Sequence, residues 1–375
     1  MSGRDAIGPH AERYDVIVVG AGQAGLAIGY FLAQQQRHFA ILEAADTPAA
    51  SWRDRWDSLR LFTPVRYDSL PALPFPGDPD SYPGRGDVVA YLTDYAGHFD
   101  LPVELNARVR AISRADDGRG YLVEADGERS YIAEQVVVAT GPFHVPRVPP
   151  IARPLDPEVV QYHSTAYRRP DQVPEGPVLV VGGGNTGFQI AEELSRTHDE
   201  HLSVGSRQSP LPQRIAGRDL FRYLDALGLM RVSVDSRLGQ RLRYRETLIG
   251  SSPRAARERY GMHLRERTVD AQGSEVVFED GGRLAPAAVI WATGFAVDHS
   301  WVHVPVFDDA ARLMHHRGVT CSPGLYFLGL TWQYTRGSAL LGWVKDDAEF
   351  LAGRIAAAAA VNGARRPSPA EAARP

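Results

Sequence analysis

Tyr14-Asp15-Val16-Ile17-Val18-Val19-Gly20-Ala21-Gly22-Gln23-Ala24-Gly25 is the stretch that decides how this chain folds. Val16, Ile17, Val18 and Val19 are β-favouring residues in a row, the pattern of a strand buried on both faces. Gly20, Gly22 and Gly25 spell G-x-G-x-x-G, and Leu26, Ile28, Phe31 and Leu32 continue at helical spacing. The first glycine makes the tight turn, the second lets backbone approach a pyrophosphate, and the third lets helix and strand pack closely. The helix N-terminus then offers free N–H groups and partial positive charge to the phosphates. The next strand, 39–42, ends in Glu43, where a carboxylate can accept hydrogen bonds from a ribose hydroxyl. A glycine triplet alone is a weak signal. Strand, triplet, helix and acid in this order mark a dinucleotide-binding unit.

The design occurs twice. Pro177-Val178-Leu179-Val180-Val181-Gly182-Gly183-Gly184-Asn185-Thr186-Gly187 repeats it, with Ile190, Ala191 and Leu194 marking the helix. One chain therefore carries two dinucleotide sites. The second strand of this copy, 201–205, ends in Ser206-Arg207 with no acid. A ribose 2′-phosphate wants a forked cation, and a carboxylate would repel it. The second site thus favours NADPH, while Ser206 leaves NADH open as an alternative.

Between and around these units lie several distinctive segments. Residues 51–64 mix Trp52, Trp56 and Phe62 with Arg53, Arg55 and Arg60, too irregular for one helix and too apolar for a solvent loop. They read as a cover over a ligand. Prolines at 71, 74, 76, 79 and 83 forbid regular elements. Asp87 is expected to cap a helix with Val88, Tyr91, Leu92, Tyr95 and Phe99 on one face. Short strands at 109–112, 121–124 and 131–133 suggest a small inserted antiparallel sheet. The strand 136–138 runs into Ala139-Thr140-Gly141, and 289–291 runs into Ala292-Thr293-Gly294. The paired turns suggest places where backbone passes a cofactor or links domains. Residues 214–267 are rich in Arg and read as a solvated basic face. The strand 325–328 ends at Gly329, and the stretch 331–343 suits a flat ring system. A final helix is expected over 344–360. The boundaries are 13–145 with 288–360 for one domain, 146–287 for the other, and disordered tails at 1–12 and 363–375.

Composition limits the alternatives. The chain has 375 residues, 44% hydrophobic and 23% charged, an ordinary globular balance. A net charge of −4 argues against nucleic acid as a partner. Apolar runs are strand-length and no apolar leader segment follows Arg4, so a cytoplasmic protein without membrane spans is expected. The single cysteine, Cys321, excludes a Cys-x-x-Cys redox pair and a multi-cysteine metal site, and no metal ligand set is read.

These residues resemble the flavoprotein monooxygenases with two dinucleotide sites. That class includes microsomal-type flavin-containing monooxygenases, plant YUCCA enzymes, Baeyer–Villiger monooxygenases and short bacterial members such as the arsenic-operon type. The likeness rests on both glycine motifs, Glu43, the Trp52 segment and the two Ala-Thr-Gly turns. His163-Ser164-Thr165-Ala166-Tyr167 keeps the second half of the linker signature F-x-G-x-x-x-H-S-x-x-[WY], while Leu155 and Pro157 replace its Phe and Gly. The resemblance implies an α/β fold of two Rossmann-like domains with a small inserted antiparallel sheet. It implies tightly held FAD, NADPH as reductant, O2 and a small organic substrate, with a homodimer as one open assembly. It adds Arg53, Leu59, Val109, Gly329 and Gln333 to the cofactor set. Phe62 stands where microsomal-type members carry an Asn near the flavin, and Arg336 is the candidate counterpart of the Baeyer–Villiger arginine. The implied chemistry is a flavin C4a-(hydro)peroxide that oxygenates a sulfide, amine or ketone. An NAD(P)H:acceptor reductase or oxidase, and a non-catalytic redox sensor, are the alternatives.

Overall fold

The computed structural model describes residues 12–116, 118–205, 210–243, 248–250 and 253–364. Two parallel sheets organise it. In the first, Glu12–Val19 is central, with Phe39–Leu42 and then Val103–Glu104 on one side. Arg129–Val138 and then Leu325–Phe327 lie on the other, all parallel. The second sheet repeats the plan. Pro177–Val181 is central, with Asp199–Ser203 and His263–Arg265 on one side and Ala288–Trp291 and Val160–His163 on the other. Val16, Ile17 and Val18, and Val178, Leu179 and Val180, have no solvent exposure. Such burial explains why the strands are unbroken apolar runs rather than alternating ones.

The expected boundary at 288 assigns the strand Ala288–Trp291 to the first domain; its pairing with Pro177–Val181 puts it in the second sheet. A valine-rich strand with a glycine turn reads the same in either sheet, and only the partner differs. The strands expected near 131–133 and 136–138 are one continuous strand, Arg129–Val138. Its first half pairs antiparallel with Tyr121–Ala125, which pairs with Val109–Arg114. The small antiparallel sheet is therefore an arm of the first sheet. The second unit carries its own three-stranded meander, Thr268–Gln272, Glu275–Phe278 and Arg283–Leu284.

The helix Arg85–His98 begins two residues before Asp87. Asp87 sits in the first turn and its carboxylate accepts from the Gly84 N–H at 2.8 Å, rather than acting as the cap. The last helix, Val344–Ala364, runs past the expected end at 360, and Glu12 already belongs to a strand. The rest of both expected tails lies outside the described residues. No helix among the described residues is long and apolar enough to cross a membrane.

The chain crosses between the two units twice, after each Ala-Thr-Gly turn. The crossings, Val145–Pro146 and Phe295–Ala296, pair antiparallel. Ring contacts reinforce them: the Arg55 guanidinium lies 5.3 Å from the ring centres of both Phe143 and Phe295.

Candidate active site

Both glycine motifs are built alike. Gly20 and Gly182 have φ of +105° and +121°, and an added Cβ would come within 2.9 Å of the Ala139 carbonyl and 2.3 Å of the Ala292 carbonyl. The two Ala-Thr-Gly strands thus form the floor of the two cradles. Ala139 is buried, while Thr140 and Gly141 are more open at its lip. A Cβ on Gly25 or Gly187 would fall 1.8 or 1.9 Å from the carbonyl of Gly20 or Gly182. Only glycine lets each helix start that close to its strand.

Gly22 and Gly184 are different, since an added Cβ would meet nothing within 4 Å. Each is the N-cap of its helix, Gln23–Gln34 or Asn185–Leu194, with no side-chain cap and no acid in the first turn. Open space in front of uncapped N–H groups fits a pyrophosphate. The donor set therefore suits a dinucleotide at both positions, with Gln23 and Ala24 in the first helix turn and Asn185 and Thr186 in the second. The side-chain oxygen of Asn185 also accepts from Ile249 N–H at 3.0 Å, anchoring that turn.

The Glu43 carboxylate accepts from Ala21 N–H at 2.8 Å and Ala45 N–H at 3.1 Å. It braces the cradle loop at the tip of the second strand, where a ribose would lie, and its remaining lone pairs are free to take hydroxyl donors. In the second unit the corresponding tip is Gly205. Ser206 and Arg207 lie outside the described residues. The structure instead brings a cation that spacing did not single out: Arg267 Nη2 donates to the Gly205 carbonyl. It sits one strand away in the sheet and 62 residues away in sequence, so no local pattern could reveal it.

The 51–64 segment straps the two units together. Trp52 Nε1 donates to Gln23 Oε1 at 2.9 Å, at the start of the first cradle helix. Gln189, on the second cradle helix, exchanges hydrogen bonds with the backbone of Arg60 at 3.3 and 3.0 Å. Trp56 and Leu59 are buried in the core of the second unit, so Leu59 is a packing residue of the strap. Arg53 is exposed and held by Asp46 at 2.8 Å and Asp54 at 3.3 Å. Val109 begins the antiparallel arm, partly buried against the first unit's core.

At the end of the strap, Phe62 joins an aromatic cluster drawn from both units. Its ring stacks on Phe221 with centroids 5.9 Å apart, Phe221 lies 6.0 Å from Trp343, and Trp343 stacks on Tyr67 at 5.4 Å. Gln213, from the second unit, donates to the Phe62 carbonyl at 2.9 Å. Beneath it, the Thr63 hydroxyl donates to Asp68 at 2.6 Å. Burial pushes the Asp68 carboxyl up to about 8, against the lowering effect of that hydrogen bond.

The C-terminal stretch closes the first cradle. A Cβ on Gly329 (φ +85°) would come within 2.8 Å of Ala24 Cβ. Gln333 is buried and accepts from Leu330 N–H at 3.3 Å. It shapes the loop from inside rather than lining open space. Arg336 opens the 3-10 turn Arg336–Ala339, whose last carbonyl accepts from Gln23 Nε2 at 3.5 Å.

His163 of the linker signature has a positional role. Its Nδ1 accepts from Thr165 N–H at 3.2 Å, so Nε2 carries the proton and donates to the Gly294 carbonyl at 3.0 Å. Burial first, and the charge on Arg55, keep this imidazole below its ordinary pKa. The neutral ring therefore clamps the Thr293-Gly294 crossing. Thr293 hydrogen-bonds the Arg147 carbonyl on the other crossing.

Among the described residues, no group of three or more His, Cys, Asp or Glu is placed to hold a metal ion. Cys321 is exposed and has no cysteine partner in the chain.

Comparison with known proteins agrees with this geometry. The family model for the pyridine nucleotide-disulphide oxidoreductases matches residues 17–217, more than half of the chain. A Geobacillus kaustophilus protein described as an uncharacterized CzcO-like oxidoreductase is 43% identical, over 90% of this chain and 97% of its own. A probable indole-3-pyruvate monooxygenase of Arabidopsis thaliana, YUCCA1, is 27% identical over 90% of this chain and 89% of its own. The flavin-containing monooxygenase of Stenotrophomonas maltophilia superposes with a TM-score of 0.78 at 27% identity, covering 92% of this chain and 99% of that one. The chain has a single cysteine, and the residues present are those of two nucleotide cradles. The chain belongs to the pyridine nucleotide-disulphide oxidoreductase family and, within it, to the class B flavin monooxygenases, enzymes that use FAD and NADPH.

Proposed function

We propose that this enzyme oxygenates a small organic molecule at a sulfide, amine or ketone, with S- or N-oxygenation and Baeyer–Villiger insertion as the reaction types. One oxygen atom of O2 enters the product and the other leaves as water, with NADPH and a proton supplying the reducing equivalents. When bound, FAD supplies the oxygen activation and NADPH the hydride. The protein's part is positional. Gly20, Gly22 and Gly25 hold one nucleotide, and Gly182, Gly184 and Gly187 hold the other. The strap carrying Trp52 and Phe62 excludes water between them.

The observation that carries this reading is the pair of open cradles under one strap in a chain with a single cysteine. No dithiol within the chain is available to take electrons from a reduced flavin, which favours oxygen, the remaining common acceptor. Purified protein mixed anaerobically with NADPH should bleach its flavin. Aerobic turnover with a panel of sulfides, amines and ketones should then give an oxygenated product, followed by mass spectrometry with 18O2. A colourless protein that refuses added FAD overturns the reading.

A second reading, NADPH oxidation ending in hydrogen peroxide, draws support from Phe62. A phenyl ring offers no hydrogen bond to an oxygen adduct, whereas the Asn of microsomal-type members does. Peroxide formed in a one-to-one ratio with NADPH for every substrate would favour that reading.

A further inference from the structure

Asp219, in the second unit, is a buried carboxylate whose hydrogen bonds lead to Phe62 of the strap by two routes. As N-cap of the short helix Leu220–Ala226, its Oδ1 accepts from Phe221 N–H at 2.7 Å. A cap needs only that oxygen. The other, Oδ2, accepts from the Tyr82 hydroxyl of the first unit at 2.6 Å and from Gln213 Nε2 at 2.8 Å. Gln213 Nε2 also donates to the Phe62 carbonyl at 2.9 Å. Phe221, pinned at its backbone by Oδ1, is fully buried and stacks on the Phe62 ring with the planes 13° apart. One carboxylate thus reaches the Phe62 carbonyl through Gln213 and the Phe62 ring through Phe221.

The partners make this arrangement directional. A carboxylate only accepts, so the Gln213 amide must turn its NH2 group to Asp219, and the same group then meets the Phe62 carbonyl. The amide oxygen faces Gly250, where an added Cβ would lie 2.6 Å from it. Ile249, beside Gly250, donates its N–H to Asn185 in the first turn of the second cradle helix at 3.0 Å. The node therefore joins the second cradle to the strap and, through Tyr82, to the first unit. An asparagine at 219 would have to turn an NH2 group either to Phe221 N–H or to Gln213, and so would break one route or the other.

We propose that Asp219 is a positioning residue: it sets the orientation of Phe62 and, with it, the rate at which NADPH passes a hydride to FAD, giving NADP+ and FADH−. The kinetic half rests on the strap lying between the two nucleotides; the orienting half does not. With 4-fluorophenylalanine at position 62, the FAD-loaded protein should give one narrow 19F line. Asp219→Asn should split or broaden it. So should Gln213→Ala, which removes a half-buried side chain and cuts only the carbonyl route, and which decides the matter alone if Asp219→Asn does not fold. In anaerobic stopped flow, both variants should slow flavin reduction at saturating NADPH at least fivefold, while NADPH affinity and FAD content change less than twofold. Once Phe62 is replaced by Ala, adding Asp219→Asn should slow reduction less than twofold further, because the two residues act as one unit. An unchanged 19F line in both variants overturns the proposal. So does a slowing by Asp219→Asn that persists in full without the Phe62 ring. If Phe62→Ala itself reduces at the wild-type rate, the placing of the strap between the nucleotides fails and the kinetic half with it, while the 19F line still decides whether Asp219 orients Phe62.

Discussion

Asp68 and His299 are two buried titratable groups that tie the stability of this protein to pH in opposite directions. Asp68 keeps its proton up to about pH 8 when folded, against an ordinary value of 3.8. The folded state therefore binds the extra proton between those values, and stability falls as pH rises through that window. Burial lowers His299 to about 4 from 6.5, with His144 adding to the effect. Here the unfolded state takes the extra proton, so stability falls as pH drops from 6.5 toward 4. Thermal melts across pH 4 to 9 should show both slopes. Asp68→Asn should flatten the alkaline one and His299→Gln the acidic one. A slope unchanged in its own variant removes that residue from the account. Neither role is visible in the linear chain, because an Asp after Tyr67 and a His after Asp298 look like ordinary loop residues until burial is known.

At the scale of single elements, the two cradles separate what glycine does for folding from what it does for binding. Gly25→Ala and Gly187→Ala drive a methyl into a carbonyl and should destabilise the protein by several kcal/mol or prevent folding, as overpacking against backbone does. Gly22→Ala meets only open space, so it should cost the apoprotein about 1 kcal/mol or less, the range for N-cap changes. It should nevertheless cut FAD retention sharply. Flavin content per chain and the melting temperature of the apoprotein, measured together, check the distinction; equal loss of both in Gly22→Ala would contradict it. The cradles were fully legible because their glycines sit at fixed spacing within one βαβ unit. The ribose end of the second site was less so. Arg207 was read from its place after a strand, whereas Arg267 reaches the same strand tip by sheet pairing. Of Arg207→Gln and Arg267→Gln, the variant that removes the cation facing the 2′-phosphate should weaken NADPH by about 1–3 kcal/mol, as for a lost charged hydrogen bond, and leave NADH nearly unchanged, while the other should change neither. Isothermal titration of both nucleotides decides which of the two faces the 2′-phosphate.

Over the whole molecule, the arrangement depends on how the units are joined. The sequence showed two units and two Ala-Thr-Gly turns, but not that Ala288–Trp291 belongs to the second sheet, because identical apolar strands carry no label of their partner. It also could not show that residues 51–64 reach both cores, since Trp56 and Leu59 pack on residues beyond 160. The clamp from His163 to Gly294 is the smallest part of this join. His163→Ala leaves the Gly294 carbonyl without its donor and should cost about 1–3 kcal/mol of stability. It should slow anaerobic flavin reduction by NADPH more than it lowers FAD content. Stopped-flow absorbance reads the first and flavin content the second; a normal reduction rate would make the clamp purely structural.

The antiparallel pairing of Val145–Pro146 with Phe295–Ala296 brings the points where the chain leaves and rejoins the first unit side by side. The intervening stretch is thus topologically a cassette with adjacent ends. It can be exchanged for the matching piece of a relative without rethreading the host sheet, so reductant choice and substrate choice are open to being recombined by grafting, provided the strap's contacts are carried along.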